Sequence, residues 1–293
     1  MACVAASLPG SSVGRLERPD GLALAVETRG STQGQGIVFA HGFGQTRHAW
    51  SSSAELLARR GYPCTTYDAR GHGDSDWRGE VPYTWEQMRG DLAAIVGMLA
   101  SPPVLIGASM GGLVGLAAAA ANPSLFRALV LVDVTPRWEP RGVERILNFM
   151  RAHPHGFDSL EEAAGAIAAY LPHRTERKSP ERLRSLLADH GDGRLRWHWD
   201  PRLLDELARG SEDQQPLLIE AARRLTIPVL LISGGASDIV SPATIEEFLA
   251  LAPHAQHVVV PRATHMVVGD DNIVFTRHVV QFLGTLQGKE SVP

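Results

Sequence analysis

Short apolar runs bounded by turn residues alternate along this chain with longer stretches of helical periodicity. The runs Leu22–Thr28, Ile37–Ala40, Pro63–Asp68, Val104–Gly107, Ala128–Val134, Val229–Ser233 and His257–Val260 predict strands. Several, such as Val229-Leu230-Leu231-Ile232, are apolar at every position, the pattern of strands covered on both faces. Between them, Ser53–Arg60, Thr84–Leu99, Leu113–Ala121, Pro242–Leu251 and Asn272–Leu286 carry helical spacing. Strand and helix in alternation predict an α/β fold with a mostly parallel, doubly wound sheet.

The alternation breaks between about Pro136 and Leu225. Helical patterns at Val143–Arg151, Leu160–Leu171, Pro180–Ala188, Pro201–Ala208 and Gln214–Arg224 follow one another there with no clear strand, and the sheet pattern resumes at Ile227. This predicts a core domain made of residues 1–135 and 226–293 with an inserted helical cap, 136–225. A separate C-terminal domain would leave two strands and the last helix without a sheet to join.

Composition narrows the function classes. A chain of 293 residues, 44% hydrophobic, is long enough to bury roughly three quarters of its unfolded surface without staples. The net charge of −4 comes from 28 basic and 32 acidic residues with no long basic run, which argues against nucleic acid or an anionic membrane surface as partner. Cys3 and Cys64 read as free thiols in a reducing compartment. Met1–Gly14 lacks the charged and apolar regions of a signal peptide, and no apolar run reaches the roughly 18 residues of a membrane span. A soluble cytoplasmic protein is the expectation.

Candidate chemistry centres on Pro103 to Gly112, where a short strand runs into Gly107-Ala108-Ser109-Met110-Gly111 and then a Leu- and Ala-rich helix. That order sets Ser109 on a sharp strand-to-helix turn with its hydroxyl clear of the backbone. A serine needs a base in hydrogen-bond reach, itself oriented by a third group. His265 and Asp238 lie in loops at the carboxyl ends of later strands, in the chain order Ser109, Asp238, His265. Asp133, at the end of its own strand, is the rival acid. The backbone N–H groups of Phe43, in the loop His41-Gly42-Phe43-Gly44, and of Met110, at a helix N-terminus, are the candidate oxyanion donors. His41 and His72 read as structural, with ring nitrogens tying down backbone, and Arg70 with Asp68 and Asp74 reads as a charge cluster stabilising its loop.

These residues, with the Asp68-Ala69-Arg70-Gly71-His72-Gly73-Asp74-Ser75 loop, make the chain resemble the α/β-hydrolase fold superfamily from about Leu22 to Leu286. The resemblance implies a lid over the active site, in agreement with the cap inferred from patterning. Ser109 stands where the haloalkane dehalogenase and epoxide hydrolase branches carry aspartate, which sets those branches aside. The elbow is most similar to esterases, enol-lactonases and carbon–carbon bond hydrolases. Ala108 and Met266 depart from the Asn and the aromatic residue usual at those positions in the meta-cleavage carbon–carbon hydrolases.

The expectation is a cofactor-independent serine hydrolase acting on a small, apolar acyl substrate, with activity rising through about pH 6–7 as an imidazole base loses its proton. Carbon–carbon cleavage, acyl transfer or perhydrolysis on the same triad, and a non-catalytic small-molecule receptor, are the alternatives. Trp138, Tyr170, Trp197 and Trp199 are candidate pocket residues. Trp197 and Trp199 share one face of any extended segment, either packing the cap onto the core or lining the pocket. No complete dinucleotide fingerprint, phosphate loop or metal-ligand spacing occurs, so neither cofactor nor metal is expected.

Overall fold

The computed structural model describes residues 11–78, 82–170, 183–184, 186–189, 191–270 and 272–287. Eight strands form one sheet: β1 (Ser12–Glu17), β2 (Ala23–Arg29), β3 (Ile37–Ala40), β4 (Cys64–Tyr67), β5 (Val104–Ala108), β6 (Ala128–Val132), β9 (Val229–Gly234) and β10 (Gln256–Val260). Their spatial order is β1-β2-β4-β3-β5-β6-β9-β10. The ladder is parallel from β4 to β10, and β1 and β2 are antiparallel.

The continuously apolar strands serve two cores because successive side chains leave opposite faces. Leu105, Leu129 and Leu231 point to a face covered by α2 (Trp85–Val96), α3 (Met110–Ala121), α6 (Arg202–Arg223) and α7 (Pro242–Leu251). Ile106, Val130 and Ile232 point to the other face, covered by α1 (Ser51–Arg59) and the last helix, α8 (Asn272–Gln287). Local chemistry sets the helix starts. Thr84 and Gln87 form a reciprocal capping box at α2, and Ser241 with Thr244 does the same at α7, where Pro242 occupies the first turn. Cys64 lies in the second core with its thiol pushed up to about 12 by burial. Cys3 lies outside the described residues.

The structure departs from the sequence reading at three places. Ser12–Glu17 is an edge strand paired with β2 from Ser12↔Thr28 to Glu17↔Ala23, although most of its residues are exposed and no alternation marks it. The stretch between β6 and β9 is not wholly helical: β7 (Leu187–Asp189) pairs with β8 (Leu195–Trp197). Gly191 and Gly193 reverse the chain there at φ 83° and 79°, and Asp189 and Asp192 accept the N–H groups of Gly191 and Arg194. Those turn residues override the helical spacing read over Pro180–Ala188, of which residues 180–182 and 185 lie outside the described set. Finally, the two helices expected at Pro201–Ala208 and Gln214–Arg224 are one, α6, which runs through Pro216.

The same stretch contributes α4 (Pro140–Arg151) and α5 (Leu160–Tyr170). Helix α6 packs against α3, α4 and α7. Backbone bridges tie this stretch to the core loops: His72 pairs with Trp199, Gly73 N–H donates to His198 O (3.0 Å), and Asp200 N–H donates to Gly71 O (2.8 Å). No helix among the described residues is long and apolar enough to cross a membrane.

Candidate active site

Ser109 follows β5 directly, at φ 46° and ψ −119°. A non-glycine residue held at positive φ costs about 1–3 kcal/mol and persists only when its surroundings fix it. Here the Ser109 N–H donates to Val132 O (3.2 Å) and its carbonyl accepts from Leu113 N–H (3.0 Å), locking the turn between β6 and the first turn of α3. Close approach explains the glycines after it. A Cβ on Gly111 would lie 2.5 Å from Ala40 O and 2.7 Å from His41 O, so only glycine lets α3 start against the end of β3. The loop after β3 thereby reaches the serine: a Cβ on Gly42 would lie 3.2 Å from Ser109 Cβ. Met110 is the first residue of α3, where a backbone N–H has no partner within the helix. Phe43 follows Gly42 in the adjoining loop.

His265 follows β10, and its Nδ1 lies 2.8 Å from Asp133 Oδ2. Asp133 stands immediately after β6, is fully buried, and holds φ 46°. Its Oδ1 accepts from Gly234 N–H (2.7 Å) and its Oδ2 from Ser237 Oγ (2.6 Å), so donors surround the carboxyl and fix its direction. A Cβ on Gly234 would strike Ala263 O and Thr264 O at 2.5 Å, and Ala236 N–H donates to Ala263 O (2.9 Å). The loop after β9 is thus fastened to the loop carrying His265.

The expectation that Asp238 orients His265 is not met. Asp238 turns away from the histidine to Arg145 of α4, with Oδ2 2.8 Å from Nη1 and about a third of the side chain exposed. Ser237 takes the inward position in that loop, donating to Asp133 while accepting from Ile239 and Val240 N–H. The acid beside His265 is the one at the end of β6. The signal for it is Asp133 itself, an ionisable residue directly after the apolar run Ala128–Val132.

His41 and His72 hold the loop after β3. His41 Nε2 accepts from Ala69 N–H (2.9 Å), leaving Nδ1–H for Gly42 O (2.8 Å). His72 Nε2 accepts from Gly44 N–H (3.3 Å), leaving Nδ1–H for Arg70 O (3.2 Å). Burial pushes both below the usual imidazole range, and for His72 the neighbouring His41 and His198 add to the effect. His198 Nδ1 accepts from Gly73 N–H (3.0 Å), and burial lowers its pKa to about 4. Arg70 does not serve Asp68 and Asp74. It forms a two-pronged pair with Asp91 of α2 (2.6 and 2.7 Å), while Arg47 bonds Asp68 and Asp74.

The four expected pocket aromatics all belong to the stretch over this edge of the sheet. Trp138, Trp197 and Trp199 are buried, and Tyr170 stacks on Phe149 at 4.2 Å with Arg145 over its ring. Trp197 contacts Phe149 and Phe157, whereas Trp199 contacts Phe43. Met150 of α4 and Met266 border the loop after β3. A Cβ on Gly44 would lie 2.5 Å from Met150 Cε, and Gln45 Nε2 lies 3.7 Å from Met266 Sδ. Among the described residues no group of three or more His, Cys, Asp or Glu could hold a metal ion.

Residues 37–276 match the model of the alpha/beta hydrolase family. The chain belongs to that family. It is 31% identical over 251 residues to the 2-(acetamidomethylene)succinate hydrolase of Mesorhizobium japonicum, covering 84% of this chain and 86% of that one. It is 31% identical to an sn-1-specific diacylglycerol lipase of Mus musculus over 262 residues, 84% of this chain and 80% of the lipase. Among solved structures, E-2-(acetamidomethylene)succinate hydrolase superposes with a TM-score of 0.81 at 26% identity, over 94% of this chain and 99% of that one. An esterase of Mycobacterium tuberculosis superposes at 0.72 and 26% identity, over 95% and 92%. These relatives are hydrolases, and this chain is an alpha/beta hydrolase with a mostly parallel eight-stranded sheet.

Proposed function

We propose that the protein is a cofactor-independent serine hydrolase cleaving a carboxylic ester, lactone or related acyl bond. The observation that carries this reading is the Asp133–His265 hydrogen bond at the sheet edge where the strained Ser109 stands. With Nδ1–H given to Asp133, His265 keeps Nε2 as the nitrogen that accepts a proton. Ser109 Oγ attacks the substrate carbonyl while His265 takes its proton, forming a tetrahedral oxyanion held by the N–H groups of Phe43 and Met110. His265 then protonates the leaving alcohol, and the acyl-enzyme remains. Water, deprotonated by His265, attacks the acyl carbon, and the second tetrahedral intermediate collapses to free Ser109 and release the acid. Asp133 orients the imidazole and stabilises its charged form throughout.

In this reading α4, α5 and the β7–β8 hairpin form the cap, within the stretch 136–225, and the aromatic residues beneath it face a small, largely apolar substrate. The relatives are hydrolases of differing substrates, which supports hydrolysis and leaves the acyl group open.

Two measurements test the proposal together. A fluorophosphonate should label the protein, with labelling abolished in Ser109→Ala. A panel of p-nitrophenyl esters of graded acyl length, with lactones beside them, should show turnover. Folded protein that neither reacts with the probe nor turns over any ester or lactone would falsify the reading.

A further inference from the structure

Trp199 is 2% exposed, yet its indole Nε1–H has no acceptor among the described residues. Leaving such a donor unpaired is costly, and native proteins tolerate few of them. Its position is what distinguishes it. The Trp199 ring packs on Phe43 at 4.9 Å, and a Cβ on Gly44 would lie 3.7 Å from Nε1, so the nitrogen lies against the loop that carries the oxyanion donor. Gly42 of that same loop faces Ser109.

The indole is also fixed before any substrate arrives. The strand-like bridge to His72, the Gly73–His198 bonds and the Asp200–Gly71 bond hold residues 198–200 to the core, so Trp199 does not depend on cap closure for its place. Phe43 packs on the ring, and the Met150 methyl and Nε1 both face Gly44. Trp197 Nε1 is equally unpaired, but its ring sits between Phe149 and Phe157 and has no comparable link to the loop.

Building on the acyl-hydrolase reading above, we propose that Trp199 Nε1–H is a specificity-determining donor that binds a second acceptor oxygen of the substrate, close to the scissile carbonyl. The preferred substrates therefore carry an ether, hydroxyl, oxo or carboxylate oxygen beyond the ester itself. A plain alkyl ester leaves the donor buried and unpaired, and is discriminated against on that account.

Isosteric pairs test this. On the acyl side the pair is p-nitrophenyl methoxyacetate and p-nitrophenyl butyrate; on the alcohol side it is 2-methoxyethyl acetate and butyl acetate. Trp199→Phe keeps the ring and removes the N–H. In one of the pairs it should lower kcat/KM for the oxygen-bearing member by about tenfold, with the alkyl member changed by less than about threefold. The pair that responds tells which side of the scissile bond holds the oxygen. An equal fall for both members of each pair, or no change in either, overturns the assignment.

A second readout does not depend on turnover. In Ser109→Ala protein, the indole 15N–1H signal missing from the Trp199→Phe spectrum identifies Trp199. Methyl methoxyacetate or 2-methoxyethyl acetate should move that signal downfield, and methyl butyrate and butyl acetate should not. A signal that ignores both oxygen-bearing ligands sinks the donor role. Failure of every ester to turn over, with the signal still shifting, would instead count against the hydrolase reading alone.

Discussion

Three donors converge on Asp133, one of them His265, and this separates it from Asp238. Gly234 N–H, Ser237 Oγ and His265 Nδ1 all point at one buried group, so its side chain has a single direction available. Asp238 has a solvent-facing partner in Arg145, and a half-exposed ion pair contributes about 1 kcal/mol at most. The two carboxylates therefore predict opposite outcomes. Asp133→Asn should lower kcat by about 10³- to 10⁴-fold, because an amide at that position no longer selects the required imidazole tautomer. Asp238→Asn should stay within about fivefold of the parent. Steady-state rates of both variants, with Tm measured alongside so that unfolding is not mistaken for lost chemistry, decide between them. A larger loss in Asp238→Asn would return the acid to the loop after β9. The placement of Ser109 and His265 after β5 and β10 was legible because motif and strand context both point to it. The acid was not, because β6 and β9 end at the same edge within reach of one histidine, and only the turn at Ser237 decides which carboxyl looks inward.

The elements were easiest to read where burial is two-sided and hardest where turn chemistry or pairing decides. Strands such as β6 and β9 announce themselves by unbroken apolar runs, since both faces must be covered. Strand β1 has little to bury and exists because β2 offers it a row of backbone partners, a fact about β2's edge rather than about Ser12–Glu17. The β7–β8 hairpin is set by glycines at positive φ, whose demand a helical-period reading passes over. At this scale the decisive contact is between the end of β3 and the start of α3. It brings the loop that carries Phe43 against the helix start at Met110, and it exists only because Gly111 lacks a side chain. Gly111→Ala drives a methyl into the carbonyls of Ala40 and His41, pushing the two elements apart. A displacement near 1 Å at a reacting site costs about 10²-fold, so kcat should fall by at least that much. The Ser109 hydroxyl and the His265–Asp133 bond are untouched, so the variant should still react with a fluorophosphonate, more slowly. Wild-type turnover in Gly111→Ala would show that the spacing is not critical.

For the molecule as a whole, three adjacent buried histidines make stability depend on pH in a definable window. His41, His72 and His198 lie with ring centroids 5.1 Å and 6.4 Å apart, bridging the loop after β3, the loop after β4 and the stretch entering α6. All three are buried, and burial, the largest cause in each, lowers their pKa values; His198 falls to about 4, with the charge of His41 as the next contribution. Asp68 and Arg47 are the charged neighbours: Asp68 favours protonation of His41 and His198, and Arg47 opposes it at His41, without reversing either shift. The sign follows from proton counting. The unfolded chain protonates these imidazoles near their ordinary value of about 6.5, while the folded chain does so only at lower pH. Between those limits the unfolded state binds more protons, so stability is fully present above about pH 6.5 and is lost as pH falls toward the folded values. Each histidine contributes a slope of up to about 1.4 kcal/mol per pH unit within its own window. Urea unfolding at intervals from pH 7.5 to 4 should show that decline, beginning above the range where carboxylates titrate. His198→Asn keeps an acceptor for Gly73 N–H and removes one titrating group, so its slope between about pH 6 and 4.5 should be shallower by up to that amount. A profile flat down to pH 4 in the wild type, or an unchanged slope in His198→Asn, would mean that the cluster accepts protons without unfolding.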